Sequence, residues 1–488
     1  MNLSIWKKLG SAYLLLPIIA LAFYITFIPH QGYAYPVHID EWVHLAFSEA
    51  ILETGSTTFT DPFLGQSVIG FGSPHLEAGY HLFWGIFHQI SGISWLTIFR
   101  YFPGVIFIIT ILSVYILGQR QGFGWEAAFF TSLILTTVGI MGPAFLVPVA
   151  MGLLFIPLSL FIAYNFKGLR AYIVLFIFTC FLLTIHAPSA ICSVLIIFPY
   201  VILNLKGNFK HSLGVALSVL IPFLAPFPWI FKMLLPTARE LFTQQPLPTY
   251  VDFPTMVQAY GYVPIAICLL GTFLLVIKAS KRNLGLILGF LTLLLMLTTF
   301  YTFHYGISIM YERGLMFMML MVGIVAGAGL AGVKNLNLPV KFVNLLKKPL
   351  LTRHVGKLLC LVLVTVTLVI GIPYRQDIPY YYMIGDEDYQ VFAWIDQNVA
   401  KEYEKAILDP WKATAFTAVT GRSVYSRIHA YPKASDEEAY QFLGDGSSNT
   451  TFLRENGISI VYTDIEVNNP ELTEIRENVY LLPKTDIP

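Results

Sequence analysis

The chain reads as an α-helical polytopic membrane protein followed by a separate α/β domain, on three observations. Of its 488 residues, 56% are apolar and 12% charged, against about 45–50% and about 25% in soluble domains. Apolar runs of roughly 20 residues, the length that crosses ~30 Å of hydrocarbon, recur eleven times before residue 374. The charge then changes character. Of 30 Lys and Arg, 20 precede residue 374 and 10 follow it, whereas the 29 acids divide 10 and 19. The boundaries drawn are a membrane domain over 1–373 and a second domain over 374–488. The net charge of +1 conceals this partition. A nucleic-acid protein is excluded, because no basic patch with interleaved aromatics occurs and the tail is acidic.

The predicted spans are 11–29, 95–118, 124–141, 145–164, 171–187, 189–205, 213–234, 260–278, 284–303, 314–333 and 357–373. The first follows Lys7 and Lys8 and lacks a small-residue cleavage site, so it reads as a retained anchor. With the N-terminus inside, 16 of the 20 basic residues fall in inner loops, and of the ten acids only Glu126 does. The positive-inside rule therefore sets the N-terminus in the cytoplasm, and an odd span count puts 374–488 outside it. A multi-pass plasma-membrane protein is expected. Cys180, Cys192, Cys268 and Cys360 all lie in apolar runs, with neither a disulfide framework nor a zinc spacing.

The outer loop 30–94 contains six acids, six histidines and no Lys or Arg. It is too long for a plain connection and reads as two surface helices. In 39–53, Asp40, Glu41, His44 and Ser48 share one face, while Trp42, Leu45, Ala46 and Ala50 face the bilayer, and Gly55 stops the helix. In 75–90, His81, Trp84 and His88 align. Loop 236–259, with four prolines and Tyr250, suits a flexible flap. In the tail, 387–404 reads as helix and 405–408 and 457–463 as strands. The runs Asp386-Glu387-Asp388 and Asp436-Glu437-Glu438 read as solvated helix starts and not as ion sites.

Each constellation has two readings. Asp40-Glu41 is a general base in a desolvated setting, its pKa drawn toward working pH, or the first-turn acids of a helix. Glu41-x-x-His44 has a metal-helix spacing, but no second copy exists, and no metal or other cofactor is expected. Arg100, Arg239 and Arg313, basic residues at the outer boundary, suit a phosphate or meet lipid headgroups and the outer acids. His186, in a Pro-bounded turn, lines the same cavity or is a satisfied interfacial histidine. His44 and Tyr250 complete the candidate substrate contacts. Asn449-Thr450-Thr451 is a glycosylation triplet.

His38-Ile39-Asp40-Glu41-Trp42 after the first span, the stretch to Glu53-Thr54-Gly55, and Asp61-Pro62-Phe63 together resemble the GT-C superfamily of membrane glycosyltransferases. That group includes protein O-mannosyltransferases, aminoarabinose transferases and oligosaccharyltransferase catalytic subunits. The resemblance implies transfer of a sugar from a polyprenyl-phosphate-linked donor to a hydroxyl acceptor on a glycan, lipid or protein of the cell envelope. It passes the role of base to Asp40, with Glu41 as its neighbour. The sequence around Gly142-Pro143-Ala144 lacks the acidic pair that oligosaccharyltransferases use for metal. That departure favours a metal-independent transferase. Two other classes stay open: a lipid-linked sugar flippase or transporter, and a catalytically inactive GT-C-like scaffold. Transporters usually carry charges near the bilayer midplane. Here no charge other than Lys232 lies well inside a span.

Overall fold

The computed structural model describes residues 12–65, 67–70, 76–137, 139–224, 239, 241–246, 253–336, 349–429 and 432–483. By internal contacts the chain divides into two compact units, Met1–Gly32 with Arg100–Pro379, and Tyr33–Phe99 with Tyr380–Pro488. The long loop assigned above to the membrane domain thus packs with the tail residues.

The first unit is helical. Among the described residues, six helices are long and apolar enough to cross a membrane: Trp95–Gln119, Pro148–Asn165, Ala187–Asn204, Lys281–Phe303, Ser308–Lys334 and His354–Gln376. A seventh candidate is the pair Phe253–Tyr260 and Tyr262–Ile277, bent by 94°. Gly261, at φ +109°, makes the bend, a backbone state that a side chain would strain. Leu15–His30, Leu169–Ile185 and Phe209–Phe223 are shorter apolar helices. Ser308–Lys334 is the central one, buried almost throughout. Part of the expected span 213–234 lies outside the described residues.

One expected span is corrected. Among the described residues only Gly124–Thr131 of 124–141 is helical, and those beyond it are irregular as far as Val147. The composition is as apolar as a helix, but Gly142 is packed so closely that a Cβ there would lie 2.2 Å from the Leu135 carbonyl oxygen. Thr136 Oγ1 accepts the Ala144 amide at 2.9 Å. Non-helical backbone at membrane depth is tolerated only where protein covers it, and nearly all of 132–147 is buried. Arg375, itself 2% exposed, donates to the Leu133 carbonyl and, at 2.7 Å, to Gly371. At the other end Lys334 pairs with the buried Glu126 and lies over the Trp125 ring.

In the second unit the tail residues form a five-stranded sheet in the order Ser423–Val424, Lys405–Ile407, Ile460–Tyr462, Val479–Leu481, Thr473–Arg476. The first two pairings are parallel and the last two antiparallel. Ile407, Phe442, Leu443, Leu453, Ile458 and Val461 centre its core. Asp386–Asn398 and Ala434–Gly444 carry their acids in the first turn, as helix starts do, but Asp388 and Asp436 are buried and hydrogen-bonded instead of solvated. Arg422 closes the first of these, donating to the carbonyls of Ile395, Val399 and Tyr403 at 2.6–3.2 Å. Asn449 of the glycosylation triplet caps Thr450–Glu455 through its side chain.

The loop residues of this unit form the helices Ile39–Thr54 and Ala78–Ser91, which pack on each other and end at Gly55 and Gly92. Ala413–Thr420 covers another face of Ile39–Thr54. Trp42, Leu45 and Ala46 are consequently 0–5% exposed, inside the protein and not on a bilayer surface.

Candidate active site

The site is built from the start of Ile39–Thr54. His38 has extended backbone and is the N-cap; its Nδ1 accepts the Asp40 amide at 3.1 Å, which leaves the ring proton on Nε2. Glu41 Oε2 reaches back to accept the amides of Val37 at 2.7 Å and His38 at 3.1 Å, completing a capping box. Both residues are buried. The cap reading therefore holds for Glu41, whose oxygen satisfies backbone donors. Asp40, between the two capping residues, has a different environment.

Asp40 is the partly open member, its side chain 20% exposed. His429 donates from Nε2 to Asp40 Oδ1 at 3.3 Å, and His38 Nδ1 lies 3.9 Å from the same oxygen. Burial works against a charge here, but the His429 hydrogen bond and the imidazoles of His38, His429 and His44 outweigh it. Together they hold the carboxyl below the usual carboxylate range. This reverses the expectation of a pKa drawn up toward working pH. Asp40 is ionised at neutral pH and is a weak base.

The residues that bring His429 there run alongside the first loop. The Val424 amide donates to the Phe63 carbonyl at 2.7 Å, and the Arg427 guanidinium carbon lies over the Phe63 ring, 3.9 Å from its centroid. Phe63 is fully buried, its amide held by Asp61 Oδ1 at 2.8 Å. Burial weakens the Arg427 charge, while Asp61 and then Asp40 support it.

One helical turn beyond Asp40, His44 Nδ1 meets His81 Nε2 at 3.0 Å, and His44 Nε2 is 3.9 Å from Glu77 Oε2. Burial, followed by His44, pushes His81 well below the ordinary imidazole range. His81 is therefore the neutral acceptor and His44 the donor of the shared proton. Tyr80 packs on His44, and Phe47 on His81.

Of the other candidates, Arg100, Arg239, Arg313 and His186 belong to the first unit. Arg100 reaches the His30 carbonyl at 3.4 Å and lies over Phe27 and Tyr101. Arg239 is exposed. Arg313 is half-buried, with one terminal nitrogen buried and no hydrogen-bond partner for it among the described residues. His186 is the N-cap of Ala187–Asn204, its Nδ1 accepting the Ser189 amide at 3.2 Å. Tyr250 lies outside the described residues. Among those residues, no group of three His, Cys, Asp or Glu side chains is placed to hold a metal ion.

Sequence reasoning missed His81, Arg427 and His429 as members of one cluster. Arg427 and His429 sit two apart, shortly after the strand Ser423–Val424. Nothing local, however, ties that segment to Asp40.

No protein-family profile matches the sequence, and no curated protein matches it. Solved structures do. The apo oligosaccharyltransferase of Archaeoglobus fulgidus aligns at a TM-score of 0.64 and 10% identity, over 94% of this chain and 70% of that one. ArnT from Cupriavidus metallidurans, bound to undecaprenyl phosphate, aligns at 0.59 and 13% identity over 96% and 98%. The arabinofuranosyltransferase AftD from Mycobacteria aligns at 0.60 and 13% identity, over 98% of this chain but 40% of its own length. Identities this low carry the fold, and the architecture shared is that of the GT-C membrane glycosyltransferases.

Proposed function

We propose that this protein is a membrane glycosyltransferase that moves a sugar from a polyprenyl-phosphate-linked donor to a hydroxyl acceptor, with inversion and with Asp40 as general base. The carrying observation is the partly open Asp40 carboxyl, hydrogen-bonded by His429 and set on a helix start that two buried capping residues fix. The fold supports the substrate class, since ArnT was solved with undecaprenyl phosphate and the Archaeoglobus oligosaccharyltransferase with dolichol-phosphate.

In the first unit a wholly apolar groove of about 470 Å³, lined by Pro17, Leu21, Trp125, Phe129, Val364 and Leu368, fits a prenyl chain. Arg313 is our first choice for the donor phosphate because of its buried terminal nitrogen, with Arg100 and Arg239 as further candidates. The acceptor oxygen attacks the anomeric carbon as the bond from that carbon to the phosphate oxygen breaks. The electron pair leaves on the phosphate, where a fixed cation stabilises it. The acceptor proton passes to Asp40. A carboxylate this acidic takes the proton late, once the acceptor oxygen carries positive charge. Its main work is thus electrostatic.

Turnover of radiolabelled polyprenyl-phosphate sugars by purified protein tests the reading. Wild type transfers label and Asp40→Asn does not. Equal turnover by both variants sinks the assignment of Asp40, and donor binding without turnover in wild type leaves the inactive scaffold.

A further inference from the structure

A guanidinium of the tail residues lies beside the Asp40 cluster. Arg427 is two residues before His429, whose Nε2 meets Asp40 Oδ1 at 3.3 Å, and it lies over Phe63, whose amide Asp61 holds. Its Cζ lies 3.9 Å from the Phe63 ring centroid, a contact that holds the guanidinium in place. Its terminal nitrogen NH1 is buried with no hydrogen-bond partner among the described residues. A buried donor left unmet is costly, so such a group marks the place of a ligand oxygen.

The kind of oxygen follows from the surroundings. Asp61 and Asp40 are the carboxylates whose field reaches Arg427, and Glu41 follows Asp40 in the chain. A phosphate or carboxylate brought to Arg427 would meet that negative field, whereas a neutral hydroxyl would not. Position gives the rest, and it rests on the glycosyl-transfer reading above. In an inverting displacement the nucleophile and the leaving phosphate lie on opposite faces of the anomeric carbon. A donor group on the same side as the base is therefore on the acceptor side.

We propose that residues 424–429 form the acceptor wall of the Asp40 site, and that Arg427 binds an uncharged hydroxyl of a carbohydrate acceptor. His429 in the same segment orients the base. The segment is tied down on both sides, by Val424 to Phe63 and by the Ile428 amide to the Pro410 carbonyl at 3.1 Å.

The test uses the full-length protein in lipid nanodiscs and two probes: undecaprenyl phosphate for binding, and a panel of neutral trisaccharides with their uronic-acid counterparts as acceptors. Arg427→Gln should keep the wild-type Kd for undecaprenyl phosphate within about twofold. It should raise the acceptor KM at least about tenfold with a much smaller change in kcat, the split expected of a ground-state contact. Arg427→Lys should recover part of the loss if the variants fold, as thermal unfolding would show. Arg476→Gln, a tail arginine stacked on Trp394, is the control. Weakened undecaprenyl-phosphate binding in Arg427→Gln makes Arg427 a phosphate ligand and overturns the inference. An unchanged acceptor KM overturns it too, as does a wild type that accepts only uronic-acid sugars or none. A wild type that fails to bind undecaprenyl phosphate overturns instead the glycosyl-transfer reading beneath it.

Discussion

Substituting Glu41 separates the two adjacent carboxylates most sharply. Glu41 Oε2 accepts the amides of Val37 at 2.7 Å and His38 at 3.1 Å, and all three residues are buried. Glu41→Ala leaves two donors without that oxygen. Each unmet buried donor costs about 1–3 kcal/mol, and partial rearrangement lowers the sum to about 2–4 kcal/mol. Because the box fixes the first turn, the loss falls on the opening of Ile39–Thr54. Hydrogen exchange read by mass spectrometry on peptides from 39–54 should speed up by about 30- to 900-fold, the same free energy at ~1.36 kcal/mol per decade. Glu41→Gln retains one acceptor oxygen and should lie between. Asp40→Asn, which leaves the box intact, should exchange like wild type. Exchange in Glu41→Ala within about threefold of wild type would refute the argument that this cap holds the helix.

Three further outcomes are expected. Asp40→Asn abolishes transfer in a protein that still folds, with its unfolding temperature lowered at neutral pH because the stabilising share of the charged carboxylate is lost, whereas His429→Gln reduces transfer and lets the Asp40 carboxyl rise toward its ordinary range, which carbon NMR titration would detect. Since the folded-state pKa of Asp40 is depressed, its stabilising share is present above the ordinary carboxylate pKa of about 4 and is lost on acidification below it. Glu49 runs the other way. Burial and then Glu53 push it up to about 7, so it costs stability as pH rises from about 4.5 through 7, by at most about 3 kcal/mol. Glu49→Gln should therefore raise the unfolding temperature at pH 8 and leave it nearly unchanged at pH 4. Finally, Arg375→Leu uncovers the Leu133 and Gly371 carbonyls and should lower the unfolding temperature by several degrees, consistent with a loss of about 2–4 kcal/mol. An unaltered transition would show that those carbonyls find other donors.

What sequence made legible follows from how local each signal is. The Ile39–Thr54 helix was readable because its acids, its apolar face and its Gly55 stop lie within one stretch. The acid-led helices Asp386–Asn398 and Ala434–Gly444 were readable for the same reason. Residues 132–147 were not, since an irregular segment sealed inside protein is as apolar as a spanning helix. The division of labour between Asp40 and Glu41 was also hidden. Both suit a first turn, and only the placement of Val37, His38 and His429 tells them apart. Trp42 was misread because Ile39–Thr54 also packs against Ala413–Thr420, a helix remote in sequence, and Trp42 is fully buried.

The hydrogen bond between His429 and Asp40 joins positions 389 residues apart. A ribosome adding about 5–20 residues per second needs roughly 20–80 s to travel between them. Throughout that interval the first loop already carries its carboxylate, but the imidazole that orients it has not been made. The contact forms only when the strand Ser423–Val424 has found Lys405–Ile407 and the segment beyond it has reached Phe63. On the function proposed above, a chain that stalls or is clipped before residue 429 would lack a finished site.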